Sequence, residues 1–230
     1  GDPIHLFRML WHLPLRAEKW YNPEGGDCSA NVLFLGHQLR TAVEWARQNA
    51  PSLLHRISHK SYNAETTYDR QNTSFALQVF NERSIFLLEK CPATAGEKSK
   101  HLREYIRLVL DFWLEARSRT IDPKITCANV GSSFSAAAKL AEYLESWRQR
   151  FEEANVGLAK GPHMEVVQAM RQYAENAPLL LTNALSRVKE DVAKSWDTTV
   201  GPIPPLYSYA RRLSQDPLES HVGATRQGGG

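Results

Sequence analysis

Apolar residues recur at three- and four-residue steps along most of this chain, the spacing of helices that bury one face. The clearest stripe runs from Leu102 to Trp113 and places apolar or aromatic residues on one side of a helix. Similar stripes, separated by Pro and Gly residues, predict helices over about 38–48, 65–89, 132–151, 164–175 and 178–196. The pattern therefore predicts a mainly α protein whose stripes form the core of a helical bundle.

The two ends of the chain differ from this pattern. Residues 2–10 form a short apolar-rich segment entered through Pro3, and a loop is expected between about Pro14 and Asn31. Residues 201–205, with three prolines, form a stiff connector that cannot be helical. A last short helix is expected at Asp216-Pro217, because Pro suits the first helical position. Strand character is limited to two stretches, 32–35 and 206–209.

Composition and charge exclude few classes of function. The 28 basic and 25 acidic residues give a net charge of +3, which neither demands nor excludes a nucleic-acid partner. No apolar run reaches membrane-spanning length, so we expect no membrane partner. Cys28, Cys91 and Cys127 show no paired spacing, which favours packing roles in a reducing compartment. The chain does not begin with Met, and we take it as an excised or processed segment.

Two segments, one at each end, carry more information than a generic helical domain. The first is Asp2–Arg8, with the sequence DPIHLFR. The second is Leu213–Gly229, which contains SQD, then LE ending at Glu219, then Arg226 and two glycines. Taken locally, Asp2 could be an ordinary residue of a flexible terminus. Glu219 could complete a capping box, three positions after a capping Asp216.

Both segments resemble the catalytic motifs of P-element and THAP-type DNA transposases. That family carries D-x-x-H-L-x-K around its second catalytic Asp and S-Q-D-x-L-E-x-x-F-x-x-x-R-x-x-G-G around its catalytic Glu. A third match is Ala76–Asn81, which is similar to the family's A-x-Q-V-F-S segment. The resemblance implies that Asp2 and Glu219 are two of three carboxylates that hold two Mg²⁺ or Mn²⁺ ions for DNA strand cleavage and transfer. The family's first Asp would lie outside this chain, so the segment alone cannot hold a complete site.

The resemblance also implies a division of the chain into three parts. Residues 1–36 would be an RNase H-like fragment that carries Asp2 and a loop. Residues 37–200 would be a helical insertion domain, and residues 201–230 would return to the RNase H-like fold on the helix of Glu219. DNA, both transposon ends and target, would be the partner, a homo-oligomer is possible, and the location would be nuclear.

Basic and imidazole side chains near the two motifs are candidates for DNA contact. His5 could orient Asp2 or approach DNA, although a single His on an apolar segment is more often a core residue. Arg211, Arg212 and Arg226 flank Glu219 and could bind phosphates near the scissile bond. The alternative for these arginines is an ordinary solvated helix face.

The family's insertion domain binds GTP without a P-loop, and its pocket positions can be placed here. They become Asn72, Thr73 and Asn81, together with the segment Trp113–Arg117 in place of the family's F-D-x-L-N. The Lys that would meet a phosphate and the Asp that would read a guanine edge are both missing at these positions. A buried nucleotide without charge complementarity is poorly held, so GTP binding is doubtful, with Arg117 as one substitute.

Other departures from the family keep a second function open. Arg8 replaces the motif Lys, Trp11–Leu13 replace a polar R-N-N, and His221-Val222 replace an aromatic pair. The alternative is a domesticated, non-catalytic helical module for partner binding or dimerisation. A third and weaker alternative is an unrelated bundle with chance matches at its ends.

Overall fold

The computed structural model of the chain describes residues 2–16, 35–54, 57–62, 66–117, 126, 129–130, 132–153, 164–196, 199 and 201–203. These residues are mainly helical, and none of them lies in a β-strand, which confirms the predicted mainly α class. The α-helices are α1 (Pro3–Arg16), α2 (Leu35–Asn49), α3 (His59–Tyr62), α4 (Thr67–Gln71), α5 (Thr73–Val79), α6 (Glu82–Lys90), α7 (Lys100–Ala116), α8 (Ser135–Glu153) and α9 (Met164–Ser195). Within these described residues, short 3₁₀ turns lie at Pro51–Leu53, Gly96–Ser99 and Ser132–Phe134.

The first helix extends further along the chain than the sequence pattern predicts. α1 continues through Pro14 to Arg16, where a loop was expected. A proline inside a helix deprives the carbonyl four residues earlier of its donor, here the carbonyl of Leu10. The buried hydroxyl of Tyr105 donates to that carbonyl at 2.6 Å. A tertiary contact from α7 therefore supplies the donor that Pro14 lacks.

The single long helix expected over 65–89 is wrong, because the structure divides this segment into α4, α5 and α6. Each of the three helices begins at a polar side chain that accepts a backbone N–H. Thr66 accepts from Asp69, Asn72 from Ser74 and Asn81 from Ser84, at 3.0–3.1 Å. Short polar side chains compete with the helical ladder in this way and start a new helix instead.

The opposite error occurs in the last long helix. The sequence predicts a break between 175 and 178, but α9 runs unbroken for 32 residues with Pro178 inside it. Tyr173 and Ala177 before the proline, and Leu181 and Leu185 after it, are all buried. Continuous packing on both sides of the proline outweighs the loss of one helical hydrogen bond.

The core lies around α1 and α7. Phe7 of α1 stacks on Trp113 of α7 with ring centroids 4.1 Å apart, and it meets Phe80 edge-on at 5.4 Å. Tyr105 packs edge-on against Trp147 of α8 at 6.2 Å. The buried apolar residues of α1, α2 and α5 to α8, together with those of α9 as far as Leu181, belong to one hydrophobic cluster. α1 therefore shares its core with the helices that follow it.

Several sequence predictions lie outside the described residues. They are residues 32–34 of the strand candidate at 32–35, whose last residue begins α2, the strand candidate at 206–209, the loop over 17–31, the last helix at Asp216-Pro217, and Cys28 and Cys127. Cys91 is described, and it is fully buried without a disulfide, as expected for a packing residue.

Candidate functional site

The predicted active-site segment forms the first turns of α1. Asp2, His5 and Arg8 follow one another at three-residue spacing, so they lie on one side of the helix. Ile4, Leu6 and Phe7 between them are buried. His5 is exposed, whereas Asp2 and Arg8 are half-buried. The apolar side chains fix α1 in the core, where the helix packs against α5, α7 and α9.

Asp2 caps α1. Its Oδ1 accepts the N–H of Ile4 at 3.1 Å, and its main-chain carbonyl accepts the N–H of Leu6 at 3.0 Å. Asp at this position satisfies N–H groups that have no partner inside the helix. The capping bond uses one carboxylate oxygen, and the chemistry of a carboxylate leaves the second oxygen able to bind a cation. A structural role and a metal-binding role for Asp2 are therefore compatible.

Arg8 connects the predicted active-site segment to a predicted nucleotide-pocket position. Its Nε donates to the Thr73 hydroxyl at 3.1 Å, across 65 residues of sequence. The sequence singled out both residues but gave no reason to pair them. Thr73 lies at the start of α5, so this bond ties α1 to α5.

Asn72 and Asn81, the other two pocket positions near α5, lie at its opposite ends. Asn72 accepts from the N–H and the hydroxyl of Ser74, at 3.0 and 2.6 Å. Asn81 accepts the N–H of Ser84 and donates to the carbonyls of Leu77 and Gln78 at 3.1 and 2.9 Å. The whole of α5, about 10 Å long, lies between the two residues. The side-chain amides of both residues therefore form hydrogen bonds at helix ends. The sequence analysis did not predict this capping role.

Arg117 follows the last residue of α7. Its guanidinium lies over the ring of Trp113, 4.9 Å from the centroid, in a cation–π contact. Trp113 in turn stacks on Phe7. Thr73 therefore contacts α1 through Arg8. Arg117 is linked to α1 through Trp113, which stacks on Phe7.

Glu115 is the residue that sequence reasoning passed over. Its Oε2 accepts the N–H of Ala136 at 2.8 Å, and its Oε1 accepts the N–H of Ala137 at 3.1 Å. These amides belong to the first turn of α8, where a carboxylate is favoured by the helix dipole. Glu115 lies in the segment where comparison with the family noted only a missing Asp. The only sign of Glu115 in the sequence was its position as an acidic residue close to the end of the apolar stripe of α7.

Burial raises the pKa of the Glu115 carboxyl to about 7. The N–H groups of Ala136 and Ala137 oppose this shift because they favour the ionised form. Asp111, one turn earlier on α7, raises the pKa further, and Lys139 on α8 lowers it. The balance leaves a half-buried carboxyl that titrates near neutral pH.

Tyr173 of α9 completes an electrostatic cluster with Glu115 and Asp2. Desolvation raises its pKa far above the usual range, and the charges of Glu115 and then Asp2 raise it further. The ring packs edge-on against Phe112 and Phe134 at 5.5 and 6.2 Å. Within the described part of the chain the buried hydroxyl has no hydrogen-bond partner. The charges of both carboxyl groups thus act on one buried phenol of α9, a helix that packs against α1.

The other predicted site residues lie outside the described residues. They are Glu219, Arg211, Arg212 and Arg226, so the separation of the Asp2 and Glu219 carboxylates stays untested. Among the residues that the structure describes, no three His, Cys, Asp or Glu side chains group closely enough to bind a metal ion. Asp2 alone supplies one hard oxygen ligand of the kind that Mg²⁺ and Mn²⁺ prefer.

A shallow groove of about 370 Å³ runs along the surface between α8 and α9. The groove is lined by three alanines and Ser146 and by the charged residues Glu142, Glu145, Glu175 and Arg171. Glu145 pairs with Arg148 at 2.9 Å and with Arg171 at 3.0 Å. The first of these contacts is the largest cause of a lowered Glu145 pKa.

Comparison of the chain with protein-family models, with curated proteins and with solved structures finds no significant match. Within the described ranges, no helix combines the length and apolar character that crossing a bilayer requires.

Proposed function

We propose that this chain is part of a DDE DNA transposase of the P-element and THAP type, and runs from its second catalytic Asp to its catalytic Glu. The observation that carries the proposal is the occurrence of both catalytic motifs in order, with Asp2 in one and Glu219 in the other. The helical character of the described middle region supports the assignment of 37–200 as the insertion domain. Residues 1–36 and 201–230 would then be the flanking RNase H-like fragments.

The proposed reaction is metal-dependent cleavage and transfer of DNA strands in the nucleus. Two divalent ions, when bound, would activate the attacking oxygen and stabilise the leaving oxygen. Asp2 and Glu219 would supply two of the carboxylates that hold these ions. Asp2 suits this role because its capping bond to Ile4 fixes the carboxyl group at the N-terminus of α1. The bond uses only one of the two carboxylate oxygens.

DNA contacts are proposed for the polar side of α1 and for the arginines around Glu219. His5 is exposed one turn after Asp2, in a position to meet a phosphate or a base edge. Arg211, Arg212 and Arg226 would bind phosphates on the other side of the scissile bond. Arg8 would act differently, because its guanidinium positions α1 against α5 through Thr73.

GTP binding is not part of the proposal. Asn72 and Asn81 are engaged in capping α5 and α6, and Thr73 accepts from Arg8. A nucleotide would have to break these bonds without gaining the Lys and Asp contacts of the family. We expect no saturable GTP binding at micromolar concentration, and a clear calorimetric isotherm there would overturn this expectation.

The second candidate function is a non-catalytic interaction or dimerisation module derived from such a transposase. The observation that favours it is the pair Leu179 and Leu180 on α9, each about 60% exposed. Adjacent exposed leucines on a long helix fit a protein-binding surface better than a DNA-binding one.

The first test of the proposal is the distance between the two end motifs in the folded chain. Nitroxide labels on Gly1→Cys and Ser220→Cys flank Asp2 and Glu219 without replacing either one. The background would lack Cys28 and Cys127 and carry Cys91→Ala. If Asp2 and Glu219 hold the same pair of ions, their carboxylates lie within about 8 Å of each other. Double electron–electron resonance should then give a separation of roughly 20 Å or less between the two labels. A separation of 40 Å or more would favour the second candidate.

The second test separates the catalytic from the capping roles in the full-length protein. Asp2→Asn keeps a good helix cap, and Glu219→Gln keeps a capping box, but both remove a negative ligand. Metal-dependent strand cleavage should fall at least a hundredfold in each variant while DNA binding persists. Glu104→Gln, an exposed surface change on α7, is the matched control. Undiminished cleavage by either variant would remove that residue from the mechanism.

A further inference from the structure

We propose that a second copy of this chain docks antiparallel along α9, so that Lys189 of each copy enters the groove between α8 and α9 of the other. The groove, of about 370 Å³, is lined by small alanine side chains and carries Glu142 from α8 and Glu175 from α9. The alanines leave room for the aliphatic stem of a lysine, and the carboxylates match its ammonium group. This inference does not depend on the transposase proposal.

The groove carries more negative than positive charge. Glu145 is already neutralised, because it pairs with Arg148 at 2.9 Å and with Arg171 at 3.0 Å. Among the residues that the structure describes, neither Glu142 nor Glu175 forms an ion pair. Two carboxylates on the two helices of one groove repel nucleic acid and attract a basic side chain. The groove therefore fits a lysine better than a phosphate.

α9 itself carries a lysine at the position that an antiparallel copy requires. Glu175, Thr182 and Lys189 follow one another at seven-residue spacing, so they lie along one side of the helix. When two copies of α9 pack antiparallel about a two-fold axis at Thr182, Glu175 of each copy lies opposite Lys189 of the other. Both side chains are exposed. This arrangement forms the same ion pair twice, whereas a parallel pair in register would bring like charges together.

The same side of α9 also supplies apolar contact. Leu179 lies one turn before Thr182 and is 60% exposed. In the antiparallel pair it lies beside Ser186 of the other copy, because the two residues are three and four positions from the axis. The contact from Glu175 to Lys189 covers about 21 Å of helix. So short a contact belongs to the small, transient class of interfaces, and we expect a reversible dimer that depends on concentration.

Charge reversal tests the predicted ion pair. Sedimentation equilibrium of the wild-type chain over a series of concentrations should show a monomer–dimer equilibrium. Glu175→Lys and Lys189→Glu should each weaken the dimer by about tenfold or more, because each change turns two ion pairs into two like-charge contacts. The double variant restores both pairs with the signs exchanged, so it should regain most of the wild-type affinity. Glu104→Lys, the same change of charge at an exposed position on α7, should have little effect.

Two results of this experiment would overturn the proposal. A chain that stays monomeric at every concentration would leave the groove to a different basic partner. A double variant that dimerises no better than the single variants would show that Glu175 and Lys189 do not meet.

Cross-linking tests the position of the two-fold axis. In a background without the three native cysteines, Thr182→Cys places the two thiols opposite each other, with their Cβ atoms within about 4.5 Å, so oxidation should yield a covalent dimer on a non-reducing gel. Asn183→Cys is the matched control, because its side chain is turned by about 100° around the helix and should stay uncross-linked. Equal cross-linking of the two variants, or none at Thr182→Cys, would show that the copies do not meet along this side of α9.

Discussion

The hydroxyl of Tyr105 should contribute more to stability than an ordinary buried tyrosine hydroxyl, because it replaces a backbone donor. Tyr105 is fully buried, and it donates to the Leu10 carbonyl at 2.6 Å across 95 residues. In a regular helix that carbonyl accepts from the residue four positions later, which is here Pro14 and has no N–H. Burial also raises the Tyr105 pKa, so the phenol stays protonated and remains a donor.

Tyr105→Phe removes the donor and leaves a buried carbonyl without it. Such a change costs about 1–3 kcal/mol, and we expect about 2 kcal/mol here because both groups are buried. For a chain of this size the loss corresponds to a fall in Tm of about 4–8 °C. Pro14→Ala gives the Leu10 carbonyl a helical donor, so in that background Tyr105→Phe should cost less than about 1 kcal/mol.

Urea unfolding of the wild type, the two single variants and the double variant measures this coupling as a double-mutant cycle. A coupling energy of about 1 kcal/mol or more is expected between Tyr105→Phe and Pro14→Ala. Tyr68→Phe is the control, because its ring is 77% exposed and the change should stay within about 0.5 kcal/mol. Additive effects within about 0.3 kcal/mol would refute the argument that Tyr105 replaces the donor that Pro14 lacks.

Two further stability predictions concern α1. Asp2→Ala should lower the free energy of unfolding by about 1 kcal/mol, whereas Asp2→Asn should leave it nearly unchanged, because Asn caps a helix as well as Asp. Thermal unfolding compares the two, and equal losses would contradict the capping role. Phe7→Ala should cost about 3–5 kcal/mol, since it removes the ring between Trp113 and Phe80. A loss below about 1 kcal/mol, measured in urea, would show that the stack does not anchor α1.

The helices with a complete apolar stripe were predictable from the sequence. The expected helix at 38–48 is α2, that around Leu102–Trp113 is α7, and that over 132–151 is the 3₁₀ turn and α8. In each case the stripe spans the whole helix, so periodicity locates it to within a few residues. The end residues were less certain because caps and short turns set them.

The single helix expected over 65–89 was wrong because capping side chains divide the segment, and two of these caps occupy candidate pocket positions. Asn72 and Asn81 were interpreted as aligned pocket positions, whereas each accepts the backbone N–H that starts a new helix. A short amide can cap a helix or bind a ligand, and its sequence neighbours do not distinguish the two. The bond from Arg8 to Thr73 was equally hidden, because it joins positions 65 residues apart.

The sequence by itself determined the mainly α character and most of the buried positions, because helical periodicity is a local property of the chain. The end motifs with Asp2 and Glu219 are likewise local, and they carry the functional proposal. Only the tertiary structure decided that Glu115 meets the first turn of α8 and that Tyr105 meets Leu10. These contacts join residues 21 to 95 positions apart. Such pairings arise when helices pack, and no local spacing of residues encodes them.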